Sequence, residues 1–161
     1  MNKLLLIFSL IFLSNTCNSQ QEQQQQQIQT ININTKDSHP IEWEIYFEND
    51  QIKVEYKFSE CDPEMGYNTE LVLLKCTNLT PNKLSLNWHE ILYYDKICKT
   101  CDFPEEYLYS VDLGPNELLE GNCSIYSKYQ LQIFSRFNDV NSSNGVILTS
   151  FSLSNLQIIQ Y

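Results

Sequence analysis

An all-β fold is predicted for this chain by three observations. The 161 residues include no alanine, the best helix former, whereas ten tyrosines and eight phenylalanines join abundant Ile and Thr, which suit a pleated, half-buried surface. Apolar and polar residues alternate with period two over segment after segment. Turn residues recur between those segments, and no stretch shows a convincing amphipathic helical period. The expected architecture is a single antiparallel β-sandwich of about eight strands, immunoglobulin-like, with a closed barrel as the alternative.

Three parts are expected along the chain. Residues 1–19 read Met-Asn-Lys, an apolar run Leu4 to Leu13, then Ser14-Asn15-Thr16-Cys17-Asn18-Ser19, the pattern of a secretory signal peptide. The run is about ten residues, too short to cross a bilayer core of about 30 Å as a helix, and the mature chain is expected to have no transmembrane segment. Two processing routes stay open: cleavage after Ser19, or lipidation of Cys17 as in bacterial lipoproteins. Residues 20–40 are a Gln-rich, low-complexity linker with little to bury against the entropy of ordering, although Ile31-Asn32-Ile33-Asn34 could add an edge strand. The domain is expected over residues 41–161.

Within it, Ile41, Trp43, Ile45 and Phe47 are expected to face inward, with Glu42, Glu44, Tyr46 and Glu48 outward. After an Asn49-Asp50 turn, Ile52, Val54, Tyr56 and Phe58 alternate with Lys53, Glu55 and Lys57, predicting a hairpin whose acidic residues face lysines. The run Leu71 to Cys76 predicts a strand buried on both faces, ended by Thr80-Pro81-Asn82. Leu84, Leu86 and Trp88 begin another strand, whose period breaks from Ile91 to Tyr94 and suggests a bulge there or a turn from one sheet to the other. Tyr107 to Leu113 is closed by Gly114-Pro115-Asn116. Gln130 to Phe137 and Val146 to Tyr161 complete the set, the last with a kink near Ser154-Asn155.

Charge narrows the partners. Net charge is −10, which opposes unassisted binding to nucleic acid or an anionic membrane. Five cysteines follow the leader: Cys61, Cys76, Cys98, Cys101 and Cys123. In an oxidising compartment the odd count leaves one thiol over, and Cys76, at the end of an apolar strand, is the expected one. Cys61, Cys98, Cys101 and Cys123 are the expected disulfide cysteines, with their pairing open. Cys98-Lys99-Thr100-Cys101 permits three readings. A structural disulfide is the leading one. A redox dithiol would want a helix N-terminus, and zinc would want four ligands, such as this pair with Cys61 and Cys123.

The remaining polar residues suggest no complete catalytic constellation, cofactor site or metal site. His39, before Pro40, is expected to be solvated; His89-Glu90 could be an acid–base pair but reads better as the wet face of a strand. Asp62, Glu64, Asp102, Glu105 and Glu106 cluster near cysteine loops and could bind a cation weakly, but read better as solvated carboxylates. Trp43, Phe47, Tyr56, Phe58, Trp88, Phe134 and Phe151 are expected in the core. Tyr46, Tyr67, Tyr93, Tyr94, Tyr107, Tyr109 and Tyr126 could expose members that stack on a glycan or meet an envelope protein. Asn78-Leu79-Thr80, Asn122-Cys123-Ser124 and Asn141-Ser142-Ser143 match the N-glycosylation sequon.

The combination of Asn78-Leu79-Thr80, Tyr93-Tyr94-Asp95, Cys98-Lys99-Thr100-Cys101, Leu113-Gly114-Pro115-Asn116-Glu117 and Glu120-Gly121-Asn122-Cys123 resembles small exported hypothetical proteins of flavobacteria and related Bacteroidetes. The resemblance covers residues 41–161 and implies export; it carries no activity. Leu-x-Pro-x-Glu before a short edge strand is shared with immunoglobulin-like sandwiches and implies architecture. A ciliate secreted protein is the competing source, suggested by the glutamine tract. The expected function is that of an exported, non-enzymatic binding or structural domain, secreted, periplasmic or anchored through Cys17. The alternative is a thiol redox or zinc-handling protein using Cys98 and Cys101.

Overall fold

Among the described residues the chain forms ten strands. The computed structural model describes residues 29–33, 39–61, 64, 68–124, 126–138 and 145–161. The strands are β1 (Thr30–Asn32), β2 (Glu44–Glu48), β3 (Ile52–Cys61), β4 (Thr69–Asn78), β5 (Leu84–Tyr94), β6 (Ile97–Cys98), β7 (Leu108–Leu113), β8 (Leu118–Glu120), β9 (Gln132–Phe137) and β10 (Leu148–Gln160). They form two antiparallel sheets with open edges, not a closed barrel. The first sheet runs β1-β10-β5, with β6 and β7 end to end along the far side of β5. The second runs β2-β3-β4, with β8 and β9 end to end along the far side of β4. Each central strand thus has one long partner and two short ones.

The sheets share one core. Ile52, Val54, Tyr56 and Phe58 of β3 and Val72, Leu74 and Cys76 of β4 meet Leu84, Leu86 and Trp88 of β5 and Phe151 and Leu153 of β10. The Tyr56 and Phe151 rings pack edge to face across the sheets, 5.6 Å apart. Leu73, on the opposite face of β4, is also buried, but Leu71 and Lys75 on that face are half-buried, so the expected burial on both faces holds only in part.

β2 departs from expectation. Ile45 is 53% exposed and Ile41 76%, while Tyr46 is buried at 4%. The cause is a bulge: Ile45 pairs with Glu55 and Phe47 with Val54, so Tyr46 is an extra residue and turns inward. Its hydroxyl donates to the Gln29 carbonyl at 2.6 Å and accepts from the Leu153 amide at 2.7 Å, joining the two sheets. Burial pushes its phenol up to about 12, with the backbone contact to Leu153 pulling weakly the other way. Trp43 and Phe47 are therefore only partly buried. The Trp43 ring lies on the outer face of the second sheet under the ammonium groups of Lys57 and Lys75, at 4.5 and 4.4 Å.

The hairpin acids and lysines also pair differently from expectation. Glu48 stands opposite Lys53 in register, but the ion pairs converge on Glu55, from Lys53 at 3.0 Å and from Lys75 of β4 at 2.8 Å. Partial burial raises the Glu55 pKa, and the two lysines outweigh it, leaving the carboxyl below its usual range.

Bulges fall in β10 rather than in β5. β5 runs unbroken to Tyr94, and β10 shifts register between Leu148 and Ser150 and again between Ser154 and Gln157. Asn155, with φ 52°, sits in the second shift, at the expected kink. Asp95 and Lys96, at φ 50° and 67°, make the two-residue turn between β5 and β6 that the strand twist favours. β1 pairs through Ile31 with Phe151, so the first sheet takes in residues before the expected domain start at residue 41.

Candidate functional site

Alternation along β4 carries one residue further than the apolar run. Val72, Leu74 and Cys76 face the core, and two positions before Val72 the same face holds Glu70, 4% exposed. A carboxylate at that depth needs donors. β9 supplies two of them through a register shift opposite Glu70 and Leu71. The Ser135 hydroxyl donates to Oε1 at 2.8 Å, and the Arg136 guanidinium to Oε2 at 2.9 Å. The third is His39, whose Nδ1 lies 3.0 Å from Oε1. His39 is expected from the sequence to be solvated, and the structure instead leaves its side chain only 9% exposed. Its ring lies 4.3 Å from that of Phe58, tilted by 39°, and the Pro40 carbonyl beside it accepts the Phe58 amide at 2.8 Å. Nε2 is buried without a partner.

Above this network opens a cleft of about 460 Å³, lined by His39, Ile41, Lys57, Phe58, Ser59, Glu60, Glu70 and Arg136. That volume suits a small ligand. Arg136, the sole arginine of the chain, uses one terminal nitrogen on Glu70 and is half-buried at the wall. Cys61, which ends β3, stands opposite Thr69, next to Glu70. It is bridged to Cys123 across a Cα–Cα distance of 5.5 Å, pinning the segment after β8 to this end of the sheet. Gly121, in the same segment, lets the chain pass close to Leu131, because a Cβ there would run into the Leu131 carbonyl.

A second buried carboxyl has no such network. Glu90 continues the Leu84, Leu86, Trp88 face of β5 into the core and is 4% exposed, whereas His89 points to the opposite face and is half-buried. The two cannot act as a pair, and Glu90 is not on a wet face. Its Oε1 has no hydrogen-bond partner, and the neighbouring Trp88 indole N–H also falls short of one. Burial pushes the Glu90 carboxyl up to about 8, an effect that Trp88 offsets only slightly.

The four expected disulfide cysteines come together two by two. Cys98 pairs with Cys101 at a Cα–Cα distance of 5.8 Å on the first sheet, away from Cys61–Cys123 on the second. Cys76 is the free cysteine of the described chain, its thiol pushed up to about 12 by burial. Among the described residues no group of three or more His, Cys, Asp or Glu could hold a metal ion. Of the tyrosines expected to include exposed ones, Tyr126 is 90% exposed. Tyr93, Tyr94, Tyr107 and Tyr109 are half-buried, with the Tyr94 hydroxyl donating to the Phe134 carbonyl at 2.6 Å. Asn78 is 1% exposed, and its side chain bonds Asn82, Gly114 and Thr80, so that sequon is closed to a glycan in the folded chain. Cys17, Asp62, Tyr67 and the Asn141 sequon lie outside the described residues.

Sequence reasoning missed Glu70 and Arg136. The available signal was the extension of period two from Val72 and Leu74 back to a carboxylate, with a lone arginine as its natural partner. Fold and site together define a two-sheet, disulfide-bearing all-β protein with a networked carboxylate beneath an open cleft. No protein-family model, curated protein or solved structure matches the chain.

Proposed function

We propose that this chain is an exported, immunoglobulin-like β-sandwich that binds a sugar-type ligand in the cleft beside Glu70. The carrying observation is the mixture of groups around that cleft. Lys57 and Arg136 offer donors, Glu60 an acceptor, and Ser59 both. An anionic ligand would meet Glu60 and a chain of net charge −10, and a cation would meet Lys57 and Arg136. A neutral polyhydroxyl compound satisfies both sets, because each hydroxyl donates and accepts. Two five-stranded antiparallel sheets around one core support the sandwich.

Export rests on the leader at residues 1–19, outside the described residues, and on two disulfides that suit an oxidising compartment. No helix among the described residues is long and apolar enough to cross a membrane. A glycan-array screen with the chain tests the binding reading, expecting a glycan whose affinity falls about tenfold in Glu60→Gln, the worth of one hydrogen bond. Array signals at background, or binding indifferent to that change, would sink it. Intact mass of protein isolated from its own cells tests export. Cleavage before Gln20, or a lipid on Cys17, supports it, and a retained leader refutes it.

A further inference from the structure

The loop after β6 holds its shape without the bond that closes it. The Lys99 amide donates to the Leu92 carbonyl at 2.9 Å, and the Leu92 amide donates to Thr100 Oγ1 at 2.9 Å. Thr100 is itself 1% exposed, and the Phe103 amide donates to its carbonyl at 3.1 Å. Cys98 and Cys101 are only three positions apart, so their bridge constrains the unfolded chain little. Cys101 is exposed and Cys98 half-buried.

Both sulfurs also have a donor nearby. The Cys101 amide N–H donates to Cys98 Sγ at 3.1 Å, and the Tyr93 hydroxyl stands 4.0 Å from Cys101 Sγ. Such donors favour a thiolate over a thiol. We propose that Cys98–Cys101 is a thiol–disulfide exchange site that takes two electrons from small thiols or accessible protein thiols. A thiolate attacks the exposed Cys101 Sγ. A new sulfur–sulfur bond forms there, and the Cys98–Cys101 bond breaks with its electron pair on Cys98, whose thiolate is held by the Cys101 N–H. A second thiolate then attacks the incoming sulfur, leaving as a small-molecule disulfide and freeing Cys101 beside the Tyr93 hydroxyl. Two thiols are oxidised, one disulfide is reduced, and the two protons released by the thiols end on Cys98 and Cys101. Cys61, 2% exposed, and Cys76, 1% exposed, are out of reach of this chemistry.

The test incubates the folded, oxidised chain with reduced glutathione, alkylates free thiols and maps them by mass spectrometry. Cys98 and Cys101 should be labelled while Cys61 and Cys123 are not, and Cys98→Ser, in which Cys101 is left as a thiol, should take up a glutathione adduct on Cys101 from oxidised glutathione, releasing one reduced glutathione. Resistance of Cys98–Cys101 to glutathione, or its reduction only together with Cys61–Cys123, would overturn the proposal. The wild-type labelling decides the matter even where the variant folds poorly.

Discussion

Glu70 in the second sheet and Glu90 in the first reach the interior by the same route, one step of alternation beyond an apolar run, and they end in opposite states. Glu70 accepts from Ser135, Arg136 and His39, which arrive from β9 and from the segment before β2. Glu90 has tyrosines and a tryptophan around it and leaves Oε1 unpaired. A buried carboxylate is tolerated when its lone pairs are filled, and is otherwise held neutral. Glu70 is thus built into the fold among donors, and Glu90 as a carboxylic acid. The Glu70 end also carries the cleft, whereas Glu90 is sealed within the sheet. Function is therefore expected at the first and only stability at the second.

The largest effect expected from this contrast is at Glu90. Below pH 4.5 the group is protonated in folded and unfolded chains alike. Between 4.5 and about 8 the folded chain keeps a proton that the unfolded chain gives up, so stability falls as pH rises. Above about 8 the charge is buried, at a cost of roughly 5 kcal/mol. Glu90→Leu should remove that slope, so that urea unfolding at pH 5 and pH 9 gives nearly equal stabilities; an unchanged slope would show that the group is solvated. Glu55 acts in the other direction. Its pKa is held down by Lys75 and Lys53 against burial, and the stability it contributes is lost as pH falls into the carboxylate range.

Next in size is the bridge beside Glu70. It joins residues 62 positions apart, and loop-closure entropy assigns it about 4 kcal/mol, against about 2 for the short Cys98–Cys101 loop. Chemical unfolding of Cys61→Ser/Cys123→Ser should show the larger loss of the two double variants, and equal losses would place the stabilisation elsewhere. Glu70→Ala should cost about 3 kcal/mol because it strands Arg136, Ser135 and His39 together. It should also abolish cleft binding, and thermal melts with array binding report the two separately. Smallest is Ser135→Ala, which removes one of three donors for about 1 kcal/mol in the same melts. A larger cost would mean that the β9 bulge itself depends on that hydroxyl.

Much of the fold was legible because strand periodicity is local. β3, the apolar run of β4, the first half of β5 and the kink at Asn155 follow from which residues are apolar at alternate positions and which accept positive φ. β2 was misread because one extra residue at Tyr46 inverts the phase, and a bulge is decided by the register against β3. The cleft was missed for a related reason: His39 and Arg136 are 97 positions apart, and nothing local links either to Glu70.

By itself, the sequence determined the all-β character, the apolar face of each long strand, the turns and the surplus thiol of Cys76, all properties of neighbours along the chain. The tertiary structure alone decided which cysteine met which, which strands flanked β4 and β5, and which buried carboxylate found donors. Those outcomes depend on groups brought together from distant positions, and hydrogen bonds and disulfides form only where separate strands place their atoms within a few ångströms.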